Sequence, residues 1–207
     1  MIEITKPEDI EKKSMEIITS ELNGRTWAEP KFSIMKRCIH TSADFDYVDN
    51  LIFSDDAENI GVKLLRNGAH IITDTKMAAS GINKNALSAF GGEVHCFISD
   101  EDVINEARAR NVTRATVSME KAARMDVPLI FAIGNAPTAL IALHDMVKAG
   151  KIKPSLIIGV PVGFVNVVES KVMITELDVP YIVAKGRKGG SNIAATICNA
   201  MLYYKGE

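Results

Sequence analysis

The sequence predicts an α/β fold, with a doubly wound, mainly parallel sheet, helices on both of its faces and further helices at the N-terminus. Two observations lead to this prediction. Short β-branched runs alternate with longer segments whose apolar residues recur at helical spacing. The short runs are also apolar almost throughout, as expected of parallel strands that are buried on both faces.

The N-terminal part of the chain is predicted to begin with a helix over residues 7–22. Within it Ile10, Ile17 and Ile18 form an apolar stripe, and Ser14 can lie on the same side. The Asn-Gly pair that follows is a common turn sequence and ends the helix.

The next segment, MKRCIHTSADFDY at 35–47, places a histidine between opposite charges. If it is helical, Arg37, His40 and Asp44 share one face. This pattern fits either a solvated row of charges or an acid–base group. Isolated histidines are more often packing or surface residues, so the segment alone favours the first interpretation.

Beyond residue 50 the sequence alternates between strand and helix patterns. Five strands are predicted, at residues 70–74, 93–97, 128–134, 155–160 and 180–186. Five helices are predicted, at residues 56–68, 100–111, 113–125, 137–150 and 191–205. This alternation favours a parallel sheet in which ligands bind beyond the carboxyl ends of the strands.

The loops at those carboxyl ends combine glycine or proline with polar residues, at 74–87, 134–140, 160–171 and 185–192. In GNAPTAL, Gly134 permits close backbone approach, Asn135 can cap a helix and Pro137 suits its first turn. These exposed N–H groups favour anions. An ordinary strand-to-helix turn would have the same sequence, and both interpretations stay open.

The loop KGRKGGSN also predicts an anion site. Ser191 is expected at a helix N-cap, with Arg187 and Lys188 beside free N–H groups that would attract carboxylates or phosphates. A flexible surface loop is the alternative. Lys84, Arg114 and Lys171, taken singly, are equally compatible with solvated surface cations.

Composition and spacing exclude several classes of function. The 207 residues show no linker or repeat, so we expect a single domain over residues 1–207. A net charge of −2 argues against nucleic-acid binding. The N-terminus has neither a signal-peptide pattern nor a membrane span, which predicts a cytoplasmic protein without membrane attachment. Nucleotide-binding glycine fingerprints and nucleophile-elbow motifs are also missing.

The cysteines and histidines give no metal motif. Cys38, Cys96 and Cys198 are far apart and are predicted to be reduced, buried thiols. The four histidines are scattered along the sequence, and those at 70 and 95 are interpreted as core or surface residues. We therefore expect no metal ligands in the protein.

Several segments together resemble the precorrin-8X methylmutase family, which includes the cobalt-precorrin-8 methylmutases. They occur in family order over nearly the whole chain and are IEKKSMEII, KRCIHTSADF, DTKMAASGINK, TRATVSMEKAA, FAIGNAPTAL, IGVPVGFVNVVESK and GRKGGSNIAA. As a set they are far more specific than any one of them.

The resemblance implies an isomerase of corrin biosynthesis that moves a methyl group from C11 to C12 of the macrocycle, with His40 as the proton donor and acceptor. It implies substrate contacts from Ser14, Arg37, Asn83, Lys84 and Arg114. Motif membership and charge add three residues to the rim of the site: Lys171, Arg187 and Ser191.

The resemblance further implies flavodoxin-like sheet topology, a homodimer with sites near the subunit interface, and no cofactor, since any cobalt is carried by the substrate macrocycle. Two other functions stay open: a non-catalytic tetrapyrrole carrier and a flavodoxin-like nucleotide or flavin binder. The sequence does not distinguish a cobalt-bound from a metal-free substrate.

Overall fold

The computed structural model describes residues 6–206, apart from the side chains of residues 7 and 8. Residues 1–5, part of the segment in which we expect no signal peptide, lie outside the described residues, as does residue 207. Within residues 6–206 no helix combines the length and the apolar character needed to cross a membrane.

The chain forms six strands and eleven helices within its described part. The strands are β1 (Leu51–Phe53), β2 (His70–Thr73), β3 (Val94–His95), β4 (Leu129–Ile133), β5 (Leu156–Gly159) and β6 (Tyr181–Ala184). The helices are α1 (Pro7–Glu21), α2 (Lys31–Ser42), α3 (Tyr47–Asn50), α4 (Ala57–Arg66), α5 (Lys76–Gly81), α6 (Lys84–Ser88), α7 (Glu101–Arg110), α8 (Arg114–Ala122), α9 (Pro137–Lys148), α10 (Val167–Thr175) and α11 (Ser191–Tyr203).

All six strands belong to one sheet in the order β1-β6-β5-β4-β2-β3. The pairs from β6 across to β3 are parallel, and β1 pairs antiparallel with β6 through Leu51 and Ala184. When the five parallel strands, β2 to β6, are renumbered 1 to 5 along the chain, their order across the sheet is 2-1-3-4-5, which is the flavodoxin order. The predicted fold class is confirmed.

Helices cover both faces of this sheet because the central strands have apolar side chains on both sides. On one face α2, α4, α5 and α11 enclose a core that includes Ile71, Ile130 and Ile158. On the other face α8, α9 and α10 pack over Ile72 and Phe131. The core is therefore divided into two layers by the sheet.

The helices that follow β2 and β4 leave the sheet toward opposite faces: α5 packs on α11, whereas α9 packs on α8 and α10. Adjacent strands whose connections diverge in this way leave a crevice at their carboxyl ends. The fold thus creates a crevice between the β2 and β4 loops.

Three local predictions need correction, and one element was not predicted at all. The sequence did not reveal β1, a three-residue edge strand. The segment 74–87, predicted as a loop, contains α5 and α6, and the segment 160–171 contains the start of α10. Cys38 and Cys198 are buried as predicted, but Cys96 is only half-buried.

Candidate active site

The crevice between the β2 and β4 loops, hereafter the switch crevice, has a volume of about 580 Å³. It is lined by residues 74–76, 113–115 and 135–138 together with Ile98. Three polypeptide segments that are distant in sequence therefore meet at the carboxyl edge of the sheet.

Asp74 holds the crevice in shape. Its buried carboxylate accepts hydrogen bonds from the backbone N–H groups of Gly134, Asn135 and Ala136, at 2.9, 2.8 and 2.6 Å. Burial raises the pKa of this carboxyl, and the three N–H donors oppose that shift. These N–H groups are consequently engaged by the protein's own carboxylate, which favours the alternative that GNAPTAL is an ordinary strand-to-helix turn.

Asn135 does not provide the helix cap that was expected of it. Helix α9 begins at Pro137 as predicted, but its N-cap residue is Ala136, which has no capping side chain. The predicted close approach at Gly134 is confirmed, because a Cβ there would lie 2.6 Å from the Cα of Ser191.

Arg114 lies at the mouth of the switch crevice. It is the first residue of α8, whose N-cap Thr113 accepts a hydrogen bond from the N–H of Thr116. The Thr113 hydroxyl also lies 2.8 Å from that of Thr138, which ties α8 to α9. The Arg114 side chain is exposed and donates one long hydrogen bond, of 3.4 Å, to the carbonyl oxygen of Ile98, which leaves its other N–H groups for an anionic ligand.

Lys171 does not occupy the rim position that was predicted for it. It is 2% exposed, and its ammonium donates hydrogen bonds to the carbonyl oxygens of Gly186 and Lys188, at 2.9 and 2.8 Å. Burial lowers its pKa to about 8. Lys171 therefore anchors the β6 loop from inside the protein.

Ser191 also needs correction. It is 8% exposed and begins α11, while the N-cap residue is Gly190. Its hydroxyl lies 2.7 Å from the Thr75 hydroxyl and joins the β6 loop to the β2 loop. In contrast, Arg187 is exposed as predicted, with its guanidinium carbon 5.3 Å from the centre of the exposed Phe164 ring.

His40 lies on α2, outside the sheet. Helix α2 buries Cys38 and Ile39 against the core and leaves the imidazole of His40 exposed. A pocket of about 210 Å³ between α1 and α2, hereafter the helix pocket, is lined by Ser14, Ile17, Ile18, Glu21, Ile39, His40, Ala43 and Phe45. The structure thus brings Ser14 and His40 together.

The expected row of Arg37, His40 and Asp44 on one helix face is only partly present. Helix α2 ends at Ser42, and Ala43 has a left-handed backbone with φ of 54°, so Asp44 leaves the helical face. The Asp44 carboxylate contacts the Lys188 ammonium at 2.7 Å, which lowers the pKa of that carboxyl. Arg37 instead contacts Glu11 of α1 at 3.0 Å.

Asn83 and Arg37 meet at Tyr203, a residue that the sequence did not indicate. The Asn83 amide donates to the Tyr203 hydroxyl at 2.9 Å, and the Arg37 guanidinium carbon lies 5.4 Å from the Tyr203 ring centre. The Asn83 carbonyl oxygen caps α6, and the next residue, Lys84, is exposed. This region forms a second patch of polar groups beside α2.

Two of the four histidines, which are scattered along the sequence, meet in the fold. His70 on β2 and His95 on β3 have ring nitrogens 2.8 Å apart, and Glu93 lies beside them. None of these three residues lines the switch crevice or the helix pocket.

Fold and site together define an α/β enzyme of flavodoxin-like topology, with a candidate acid–base histidine on a flanking helix and exposed cations near the carboxyl edge of the sheet. Residues 9–204 match the family model described as precorrin-8X methylmutase. The chain belongs to the precorrin-8X methylmutase family.

Individual relatives agree with this family. A cobalt-precorrin-8 methylmutase of Priestia megaterium is 44% identical over 95% of this chain and 87% of that protein. One of Salmonella typhimurium is 44% identical over 99% and 98% of the two chains. The crystal structure of precorrin-8X methylmutase from Thermus thermophilus superposes with a TM-score of 0.84, at 36% identity, over 94% of this chain and 96% of that chain.

Proposed function

We propose that this chain is the isomerase that moves a methyl group from C11 to C12 of (cobalt-)precorrin-8, giving (cobalt-)hydrogenobyrinate or cobyrinate, with His40 as general acid and base. Family membership gives the reaction class. The observation that supports the role of His40 is its exposed imidazole in the helix pocket, opposite Ser14.

The reaction uses one proton, which is returned at the end, so substrate and product contain the same atoms. His40 donates a proton to the conjugated macrocycle, which becomes electron-poor, and the methyl group then migrates within the same molecule. The imidazole takes the proton back from the product. An imidazole suits both steps because it changes protonation near neutral pH.

The substrate is a broad apolar ring with acetate and propionate groups, so its binding needs cations around an open surface. The exposed Arg114, Lys84 and Arg187 meet this need, and the half-buried Arg37 adds a fourth cation. Their contacts with carboxylates would be charge-assisted hydrogen bonds. Lys171 and Ser191 contribute indirectly, by holding the loops that carry exposed residues.

Asn83 has a mixed role in this proposal. Both ends of its amide are engaged, by α6 and by Tyr203, so it orders the patch beside Arg37 as well as facing the ligand. Ser14 provides a hydroxyl on the α1 side of the helix pocket. The macrocycle would therefore contact α1, α2 and α6 together.

The helix pocket is too small to enclose a macrocycle alone. Its volume of about 210 Å³ falls below the ~300–1,000 Å³ of ordinary ligand sites. We therefore include in the proposal a homodimer in which a second copy closes the site. Static light scattering at micromolar concentration should give twice the chain mass; a monomeric mass would contradict this part.

The proposal further comprises a single catalytic domain over residues 1–207, a cytoplasmic location and a reaction without a cofactor. Any cobalt would be held by the macrocycle and would enter as part of the substrate. The two relatives that are 44% identical to this chain are both named cobalt-precorrin-8 methylmutase, which favours cobalt-precorrin-8 as the substrate. Turnover measured side by side on both substrates decides between the two.

The experiment that tests the proposal is His40→Ala in a multiple-turnover absorbance assay. Loss of general acid catalysis is expected to lower kcat at least ~10²–10⁴-fold. Product binding should be retained, because the cations that hold the carboxylates are unchanged. The matched control is His144→Ala, which removes a histidine from α9, on the other face of the sheet.

The same assay separates an enzyme from a tetrapyrrole carrier. An enzyme converts many equivalents of substrate, whereas a carrier binds one equivalent without rearrangement. Near-normal turnover by His40→Ala would reject His40 as the acid while leaving the reaction class intact. Bound flavin in the purified protein would instead favour the nucleotide-binder alternative.

A further inference from the structure

The amino-terminal half of β2 and the short edge strand β3 bring three metal-ligating side chains together. They are His70, Glu93 and His95, whose ligand atoms all lie within 4.8 Å of one another. Among the side chains that the structure describes, this is the one group of three such residues close enough to share an ion. The proposed methyl shift does not use this cluster.

The sheet itself creates this cluster. His95 pairs in register with Ile72, and His70 and Ile72 point to the same face because side chains alternate along a strand. Glu93 and His95 are likewise two residues apart. All three side chains therefore project from one face at the edge of the sheet.

The geometry of the cluster is close to that of a three-ligand zinc site. Nδ1 of His70 lies 2.8 Å from Nε2 of His95, and Oε2 of Glu93 lies 3.9 Å from the same Nε2. Ligand atoms around tetrahedral zinc, at ~2.0–2.1 Å from the metal, are about 3.3 Å apart. Against that spacing the His70–His95 contact is about half an ångström short and the Glu93–His95 contact about half an ångström long, while the whole set lies within 4.8 Å. Metal binding therefore requires a modest shift of the side chains and loss of the proton shared in the His70–His95 hydrogen bond.

The cluster is half-buried at the sheet edge and open to solvent on the Glu93 side. Burial and the neighbouring His70 lower the pKa of His95, and the Glu93 carboxylate opposes that shift. The Glu93 carboxylate is 69% exposed, against 21% for the His95 side chain, and gives the ion a path from solvent. The Phe97 ring covers the other side of His95, with ring centres 5.8 Å apart.

We infer that His70, Glu93 and His95 form a binding site for a divalent zinc-class ion, with a water as the fourth ligand. Two imidazoles and one carboxylate with an open position are a usual ligand set for zinc. The ion would join β3, which has only two residues, to the central sheet. It would therefore stabilise the edge of the fold, at a distance from His40.

The test uses untagged, chelator-treated protein in equilibrium dialysis against Zn²⁺. The native chain is expected to bind one zinc at micromolar free metal, and its thermal midpoint should rise with zinc concentration. His95→Gln should abolish binding, and Glu93→Gln should weaken it at least ~10-fold. Because Glu93 is exposed, its variant folds even if His95→Gln does not.

Two controls isolate the site. His144→Gln removes a histidine that also has a neighbouring carboxylate, at 3.0 Å on Asp145, and should bind zinc normally. Cys96→Ser tests the nearby thiol and should also leave binding intact. Zinc binding that is unchanged in Glu93→Gln and His95→Gln, or absent from the native chain, would overturn the inference. Neither result depends on methylmutase turnover.

Discussion

The switch crevice and the helix pocket are built in opposite ways. In the crevice, the shape depends on buried polar groups such as Asp74, whose partners are backbone N–H groups. In the helix pocket, the exposed His40 of α2 and the half-buried Ser14 of α1 belong to helices that are held in place by apolar packing. Changes to the buried polar groups of the crevice should therefore alter stability and function together, whereas changes to exposed side chains, above all in the pocket, should alter function with little loss of stability.

This difference follows from where each site meets the core. A loop at a strand end has no regular hydrogen-bond pattern, so its backbone must be held by side chains from elsewhere. A helix satisfies its own backbone, and an exposed position on it can change without affecting the fold. The largest expected effects therefore concern the crevice.

The largest effect is expected for Asp74→Ala. Three partly buried N–H groups lose their acceptor, at a cost of ~1–3 kcal/mol for each group that stays unpaired. We expect the free energy of unfolding in urea to fall by about 3 kcal/mol or more, and turnover to be lost. Asp55→Ala, at an exposed aspartate beyond β1, is the control and should change stability by less than about 0.5 kcal/mol. Equal effects of the two variants would contradict the role of Asp74.

Lys171→Met should release the β6 loop and change the pH dependence of stability. The folded-state pKa of Lys171 is near 8, below its ordinary value of 10.5. Between these values the unfolded chain binds more protons, so Lys171 makes stability rise with pH. The buried thiols of Cys38 and Cys198, whose pKa is raised to about 12, give the opposite slope in both proteins.

The measurement is therefore the difference between the two proteins in free energy of unfolding, from pH 7.5 to 10.5. As pH rises through this window, the free energy of unfolding of the native chain should increase relative to that of Lys171→Met. Amide hydrogen exchange should also become faster at Gly186 and Lys188, whose carbonyl oxygens lose their donor. A pH-independent difference would show that the ammonium is not desolvated.

The central strands could be predicted from sequence to within a few residues, because strands buried on both faces are continuously apolar. β1 could not, since three partly exposed residues at a sheet edge carry too little pattern. α5 and α6 are also too short for a helical period to be evident. The fold class survives these omissions because it depends on the alternation of the longer elements.

The candidate site was less accessible to sequence reasoning, because its decisive contacts are non-local. Asp74 caps a loop 60 residues away, which requires β2 and β4 to be neighbours. His70 and His95 meet for the same reason. His40 was singled out by family resemblance, since neither its spacing nor its charged neighbours distinguish it from a surface histidine.

Arg114→Ala should separate binding from stability within the crevice itself. The side chain is exposed, so stability should change by less than about 0.5 kcal/mol. Loss of one charge-assisted contact to a substrate carboxylate, worth ~1.5–3 kcal/mol, should raise KM about 10- to 100-fold. Arg108→Ala, at another exposed arginine on α7, is the matched control. An unchanged KM would place Arg114 outside the site.

The smallest effect is expected for Tyr203→Phe, beside the helix pocket. The change removes the hydroxyl that accepts from Asn83 but keeps the ring that faces Arg37. Stability should fall by about 1 kcal/mol or less, and KM should rise only a few-fold. Tyr203→Ala also removes the cation–π contact, worth ~0.5–1 kcal/mol at exposed sites, and should raise KM further. Tyr204→Phe is the control. If Tyr203→Phe destabilised the fold as strongly as Asp74→Ala, this patch would be part of the structural framework, and the contrast between the two regions would fail.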